Sequence, residues 1–182
     1  MKARVFSLAG VLLLLGCAAG AQADFYQLAG AAGSERVLAA IRQGADATGA
    51  DRLGVTPLMA AAASNTDPQV IVVLLAAGAD VNGRDAMDMT PLMYAARSNP
   101  CAAIVKTLLA DGAAVNDHDF FGDTPLLLAA RSTTNPEVLS LLLRAGADPK
   151  AVARDGATAR ALAEANPHLK GSAALHALAA AR

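Results

Sequence analysis

Tryptophan is absent from the 182 residues and aromatics supply only 3% of them, although 54% of the chain is apolar. A core without bulky rings has to be built from Ala, Leu and Val, which suits close-packed helices better than a sandwich of aromatic-rich strands. Charge of one sign is lacking too: 15 basic residues face 16 acidic ones, for a formal net charge of −1. A chain so balanced has no basic stripe to neutralise phosphates, which argues against a nucleic-acid partner. No apolar run reaches the roughly 20 residues that a membrane-crossing helix needs. Also missing are a Gly-rich phosphate loop after a strand, a Cys/His pair at metal spacing, and a nucleophile with a base and an orienting acid. No catalytic residue, cofactor or metal site is therefore expected. His118, between Asp117 and Asp119, is the nearest approach to a metal-binding group, and it is expected at a solvated loop tip. The length suffices for one compact core but not comfortably for two.

What is present begins with an export signal. Lys2 and Arg4 precede an apolar run from Val5 to Leu15, and small residues follow through Ala23. Ala21-Gln22-Ala23 offers the small-x-small pattern of signal peptidase cleavage, which predicts residues 1–23 as a signal peptide and a soluble product starting at Asp24. Leu14-Leu15-Gly16-Cys17 resembles a lipoprotein box, which would instead leave an acylated Cys17 as the only link to a membrane. Either route places the protein in the periplasm. Removal of the leader leaves 13 basic and 16 acidic residues and a single cysteine, Cys101, so no intramolecular disulfide can form. Cys101 reads either as a small buried hydrophobe or as a reactive thiol.

Beyond the leader the chain repeats itself. Thr56-Pro57-Leu58 recurs as Thr90-Pro91-Leu92 and Thr124-Pro125-Leu126, each step 34 residues. Gly44-Ala45-Asp46, Gly78-Ala79-Asp80, Gly112-Ala113-Ala114 and Gly146-Ala147-Asp148 keep the same step. The Thr before each Pro suits an N-cap hydroxyl followed by a first helical residue that needs no amide donor. The helix so begun shows Leu58, Ala61 and Ala62 on one face, repeated as Leu92, Ala95, Ala96 and Leu126, Ala129, Ala130. Asp67-Pro68 and Asn135-Pro136 start a second helix by the same logic, whereas Asn99-Pro100 predicts an earlier start in the middle row. Its stripe is Val70, Ile71, Leu74, Leu75, then Ile104, Val105, Leu108, Leu109, then Val138, Leu139, Leu142, Leu143. Gly78, Gly112 and Gly146 stand where a helix ends in a left-handed residue.

These motifs resemble the ankyrin repeat, with its Thr-Pro-Leu start, Val-x-x-Leu-Leu second helix and Gly-Ala-Asp-Val-Asn close. Met59 and Met93 look like the Met variant at the family's His position, and Leu127 departs further. The resemblance covers about residues 24–182 and implies an all-α solenoid of stacked helix-turn-helix units with projecting, β-hairpin-like finger loops. Full repeats are expected at 51–84, 85–118 and 119–152, with capping repeats at 24–50 and 153–182. A last helix is expected from Ser172 to Ala181, with His168 and His176 in that cap.

The family implies binding at the fingers and along the adjoining concave face of the first helices. Carried over by position, the finger residues are Arg52, Leu53 and Val55, then Ala86, Met87 and Met89, then Phe120, Phe121 and Asp123. A solvated loop should be polar, so Met and Phe at these tips suggest an interaction patch. The alternative is that Leu53, Met87 and Phe121, which share a register position, pack finger against finger. Arg97 and Arg131 fall near the concave side, either pairing with a partner's carboxylates or simply solvated. Asp51, Asp85 and Asp119 recur at one position and read as loop-structuring acceptors. The expected function is protein binding by a monomer in the cell envelope, scaffolding or regulating a partner. A dedicated inhibitor or immunity protein that occludes a toxic enzyme is the alternative, and an enzyme is a third class without residues to support it.

Overall fold

The computed structural model describes Gln22 and residues 24–180. The cleavage and lipidation readings around Cys17 and Ala23, and the final Ala181, lie outside the described residues. Among those described, ten α-helices and one 3-10 turn form an all-α solenoid without a named strand. The helices come in pairs. Helix α1 (24–31) precedes α2 (Ser34–Arg42), then α3 (Pro57–Ser64) and α4 (Pro68–Ala76), α5 (Pro91–Ser98) and α6 (Ala102–Ala110), and α7 (Pro125–Ser132) and α8 (Pro136–Arg144). A shorter α9 (Ala159–Ala165), the 3-10 turn Pro167–Leu169 and α10 (Ala173–Ala180) close the stack. The inner row packs α3 on α5, α5 on α7 and α7 on α9, and the outer row runs from α2 through α4, α6 and α8 to α10.

Each inner helix starts as its sequence requires. The hydroxyl oxygens of Thr56, Thr90 and Thr124 accept from the backbone N–H of Met59, Met93 and Leu127 at 3.3, 3.4 and 3.4 Å, and Pro follows each cap. The buried Met59 and Met93 complete a reciprocal cap, their Sδ atoms standing 3.4 Å from the backbone N–H of Thr56 and Thr90. Leu127 has no acceptor, so α7 carries only half of this arrangement. Asp67 and Asn135 cap α4 and α8 through the N–H of Gln69 and Glu137.

The middle outer helix departs from expectation. It begins at Ala102, in register with Pro68 and Pro136, not at Pro100. Asn99, expected as its cap, is the extended residue that ends α5, a conformation favoured before proline. Its side chain is also committed elsewhere: Nδ2 donates to Ala62 O and Asn65 O at 2.9 and 2.8 Å in the preceding repeat. Cys101 takes the cap position without a side-chain bond. Its N–H instead donates to Asn99 Oδ1 at 2.8 Å. The Cys101 thiol is half-buried, with Sγ 3.5 Å from Thr66 O.

One apolar core runs the length of the stack, from Phe25 to Leu178. The paired alanines of α3, α5 and α7 are fully buried, and their small side chains let neighbouring inner helices approach closely. Of the outer stripe, the first three members of each set are fully buried, whereas Leu75, Leu109 and Leu143 are half-buried against the core. Asn65 and Asn166 repeat the Asn99 contact, donating to Ala29 O and Ala32 O and to Ala130 O and Thr133 O. Asn82 and Asn116 stitch the loops beyond the outer helices, each donating to a Gly carbonyl and accepting from a backbone N–H of the next repeat. The stack is thus held by burial and by buried amides crossing three of the four repeat boundaries from α1 to α9. At the remaining one Thr133 takes the register position, and the Asn135 amide donates to Pro100 O at 2.7 Å instead.

Candidate partner-binding surface

The fingers are tight turns organised by one carboxylate each. Asp51 Oδ1 accepts from Leu53 N and Val55 N, Asp85 Oδ1 from Met87 N and Met89 N, and Asp119 Oδ1 from Phe121 N and Asp123 N, all at 2.8–2.9 Å. These aspartates are loop-structuring acceptors, as their recurrence predicts. The same turn position is left-handed in each finger. Gly54 and Gly122 occupy it with φ of 78° and 82°, but the middle finger places Asp88 there at φ 59°. Successive fingers are joined through their backbones, Ala86 N donating to Leu53 O at 2.8 Å and Phe120 N to Met87 O at 2.9 Å.

This joining leaves the tip side chains outside. Leu53 is 64% exposed, Met87 41%, Phe120 63% and Phe121 48%. The Phe120 and Phe121 rings meet edge to face, with centroids 5.5 Å apart. Finger-against-finger association is real, therefore, but it is made by peptide groups and does not bury the apolar tips. Arg52 and Ala86 are exposed as well, and Val55 is half-buried.

Met89 is the exception among the finger residues. It is only 6% exposed and packs with Met93, Leu128 and Tyr94. The turn that points Met87 outward brings Met89 back onto the inner helices, so Met89 supports the surface from beneath and is not available to a partner.

Behind the middle finger stands Tyr94 of α5, whose hydroxyl donates to Asp85 Oδ2 at 2.6 Å. Burial, the bond to Asp85 and that carboxylate's charge together push the Tyr94 hydroxyl up to about 12. One aspartate thereby links the finger backbone to the inner helix. Arg97 lies over the Tyr94 ring, 5.8 Å from its centroid, with Nη1 3.8 Å from Met89 Sδ. Arg131 occupies the equivalent place on α7 but stands between two carboxylates, 3.7 Å from Asp123 Oδ2 and 3.7 Å from Asp155 Oδ2. Burial raises the Asp123 carboxyl above its ordinary value more than Arg131 lowers it. These charges, with Phe121 and Arg154, line a shallow hollow of about 210 Å³. A larger hollow of about 530 Å³ lies away from the fingers, beside Phe25, Leu28 and Ala45 at the α1–α2 end of the described stack.

The family description "Ankyrin repeats (3 copies)" matches residues 11–119 and 72–153. The chain belongs to the ankyrin-repeat family. No curated protein matches it. Ankyrin repeats are protein–protein interaction modules, and in this ankyrin-repeat protein the exposed apolar tips stand on the turns that lead into the inner helices, two of which carry Arg97 and Arg131. Among the described residues no three His, Cys, Asp or Glu side chains are grouped to hold a metal, and no helix is long and apolar enough to cross a membrane.

Two features of this surface escape a reading by rows. Tyr94 stands where the neighbouring rows have Ala60 and Leu128, so nothing repeated flags its bond to Asp85. The buried amides did leave a signal, since Asn65 and Asn99 are 34 residues apart, but a polar residue at a helix end reads first as a turn former.

Proposed function

We propose that this ankyrin-repeat protein is an exported, non-catalytic binding module of the bacterial cell envelope that scaffolds or regulates one partner protein from the periplasm. The observation that carries the proposal is the row of exposed apolar tips, Leu53, Met87, Phe120 and Phe121, on turns whose backbones are already satisfied. Contiguous apolar side chains on a projecting surface are costly to leave in water and are characteristic of contact sites. The location rests on the order of basic start, apolar run and small-residue motif in the leader.

A photo-crosslinking residue placed at Phe120, and in a second variant at Lys106 on the outer helix α6, tests the binding surface in the native envelope. The proposal expects one predominant protein adduct from position 120 and none from position 106. Equal adducts from both positions, or none from either, would refute it. Mass spectrometry of the N-terminus tests the location: Asp24 or an acylated Cys17 is expected, and protein retaining Met1 in the cytosol contradicts export.

A further inference from the structure

The three inner helices α3, α5 and α7 carry no acidic residue, and their only charged groups are Arg97 and Arg131. The structure treats the two differently. Arg131 is flanked by Asp123 and Asp155, whereas Arg97 has no carboxylate within ion-pair distance among the described residues. Its neighbours are the Tyr94 ring and the Met89 thioether, and a thioether is a weak acceptor. A guanidinium has five N–H donors in a planar fork that matches a carboxylate, and here most of that capacity faces water. The fork is also held in place: Tyr94, beneath it, is anchored through its hydroxyl to Asp85.

We infer that the concave face receives an acidic segment of the partner protein, whose carboxylate is bound by Arg97 and whose neighbouring large apolar side chain rests on Met87 and Phe120. The inference rests on the binding reading above and specifies the partner's chemistry. Charge complementarity supports it, because the protein as a whole is slightly acidic while this face offers a cation that no carboxylate pairs within ion-pair distance among the described residues, the nearby Asp85 being engaged by the Tyr94 hydroxyl and the finger backbone. Met87 and Phe120 adjoin one another through the hydrogen bond from Phe120 N to Met87 O, and Met87 is two residues along the same finger from Met89. A pre-positioned guanidinium loses little freedom on binding, and that favours affinity. Arg97 also lies in the last turn of α5, where a cation favours the helix dipole. That role needs only charge, so Arg97→Lys preserves it while removing the two-pronged fit.

The test is selection of short random peptides on the purified protein, followed by affinity measurement with synthetic copies of those enriched. Enriched sequences should place Asp or Glu within a few residues of a large apolar side chain. Amidation of that carboxylate, or Arg97→Lys, should weaken binding about tenfold with the thermal midpoint unchanged. Phe120→Ala should also weaken binding, and Arg160→Gln on α9 should not. Peptides without acidic preference, or full affinity in Arg97→Lys while Phe120→Ala still weakens binding, would overturn the acidic-segment inference and leave the finger surface standing. Failure to select any peptide, or indifference to both substitutions, would overturn both readings. Displacement of the peptides by a poly-dT oligonucleotide at comparable concentration would show that the cation serves nucleic acid and would also refute the inference.

Discussion

Asn99→Ala should destabilise the protein out of proportion to the atoms it removes. The Asn99 side chain is 2% exposed and makes three hydrogen bonds, two donated to Ala62 O and Asn65 O and one accepted from Cys101 N. A net intramolecular hydrogen bond is worth about 0.5–1.5 kcal/mol, and a buried partner left unsatisfied costs about 1–3 kcal/mol. Losing all three, with partial entry of water to the abandoned carbonyls, gives about 2–4 kcal/mol. Part of that loss falls on the interface between the first and second full repeats, which in a solenoid is what couples neighbouring units. Urea denaturation followed by circular dichroism reads both effects, as a lower midpoint and, if coupling fails, a broadened transition. Ser98→Ala is the neighbouring control, because Ser98 also donates to the preceding repeat, at Ala63 O, but is exposed. A loss under about 0.5 kcal/mol for Asn99→Ala, the usual range of a surface change, would refute the view that buried amides bind the repeats together.

Leu108→Ala, at a fully buried position of α6, should cost about 2–5 kcal/mol by leaving a cavity, measured by the same denaturation. Asp88→Gly should stabilise by up to about 1 kcal/mol, because Asp88 holds φ 59° where the other fingers use glycine; a lower midpoint would show that the aspartate side chain has a role of its own. Tyr94 has a raised folded pKa, so its contribution to stability is fully present below its ordinary value of 10 and is lost as the pH rises through about 12. Comparing the alkaline unfolding of the protein with that of Tyr94→Phe should therefore show the gap between them closing across that window.

The solenoid was legible because three rows report on each position, so the caps at Thr56, Thr90 and Thr124 and the stripes through Leu74, Leu108 and Leu142 reinforced one another. The errors arose where a residue's side chain served a distant repeat. Asn99-Pro100 has the form of a helix start, yet the Asn99 amide is committed to Ala62 and Asn65 across the repeat boundary, a contact with no local trace. Met87 and Met89 look alike in the sequence, and only the turn made by Asp85 separates the outward one from the one folded beneath Tyr94. Arg97 and Arg131 share a register position as well, and their difference comes from Asp123 and Asp155, which lie on two other turns.

The central claim, that the apolar finger tips are a binding surface and not part of the core, is tested most directly by one paired measurement on Phe120→Ala combined with Met87→Ala. Affinity for the crosslinked partner and the thermal midpoint are read on the same preparation. The account predicts that binding weakens by at least about 2 kcal/mol, roughly thirtyfold, as removal of an interface anchor does. It also predicts a nearly unchanged midpoint, since both side chains are exposed. Undiminished binding, or a collapse in stability, would contradict it.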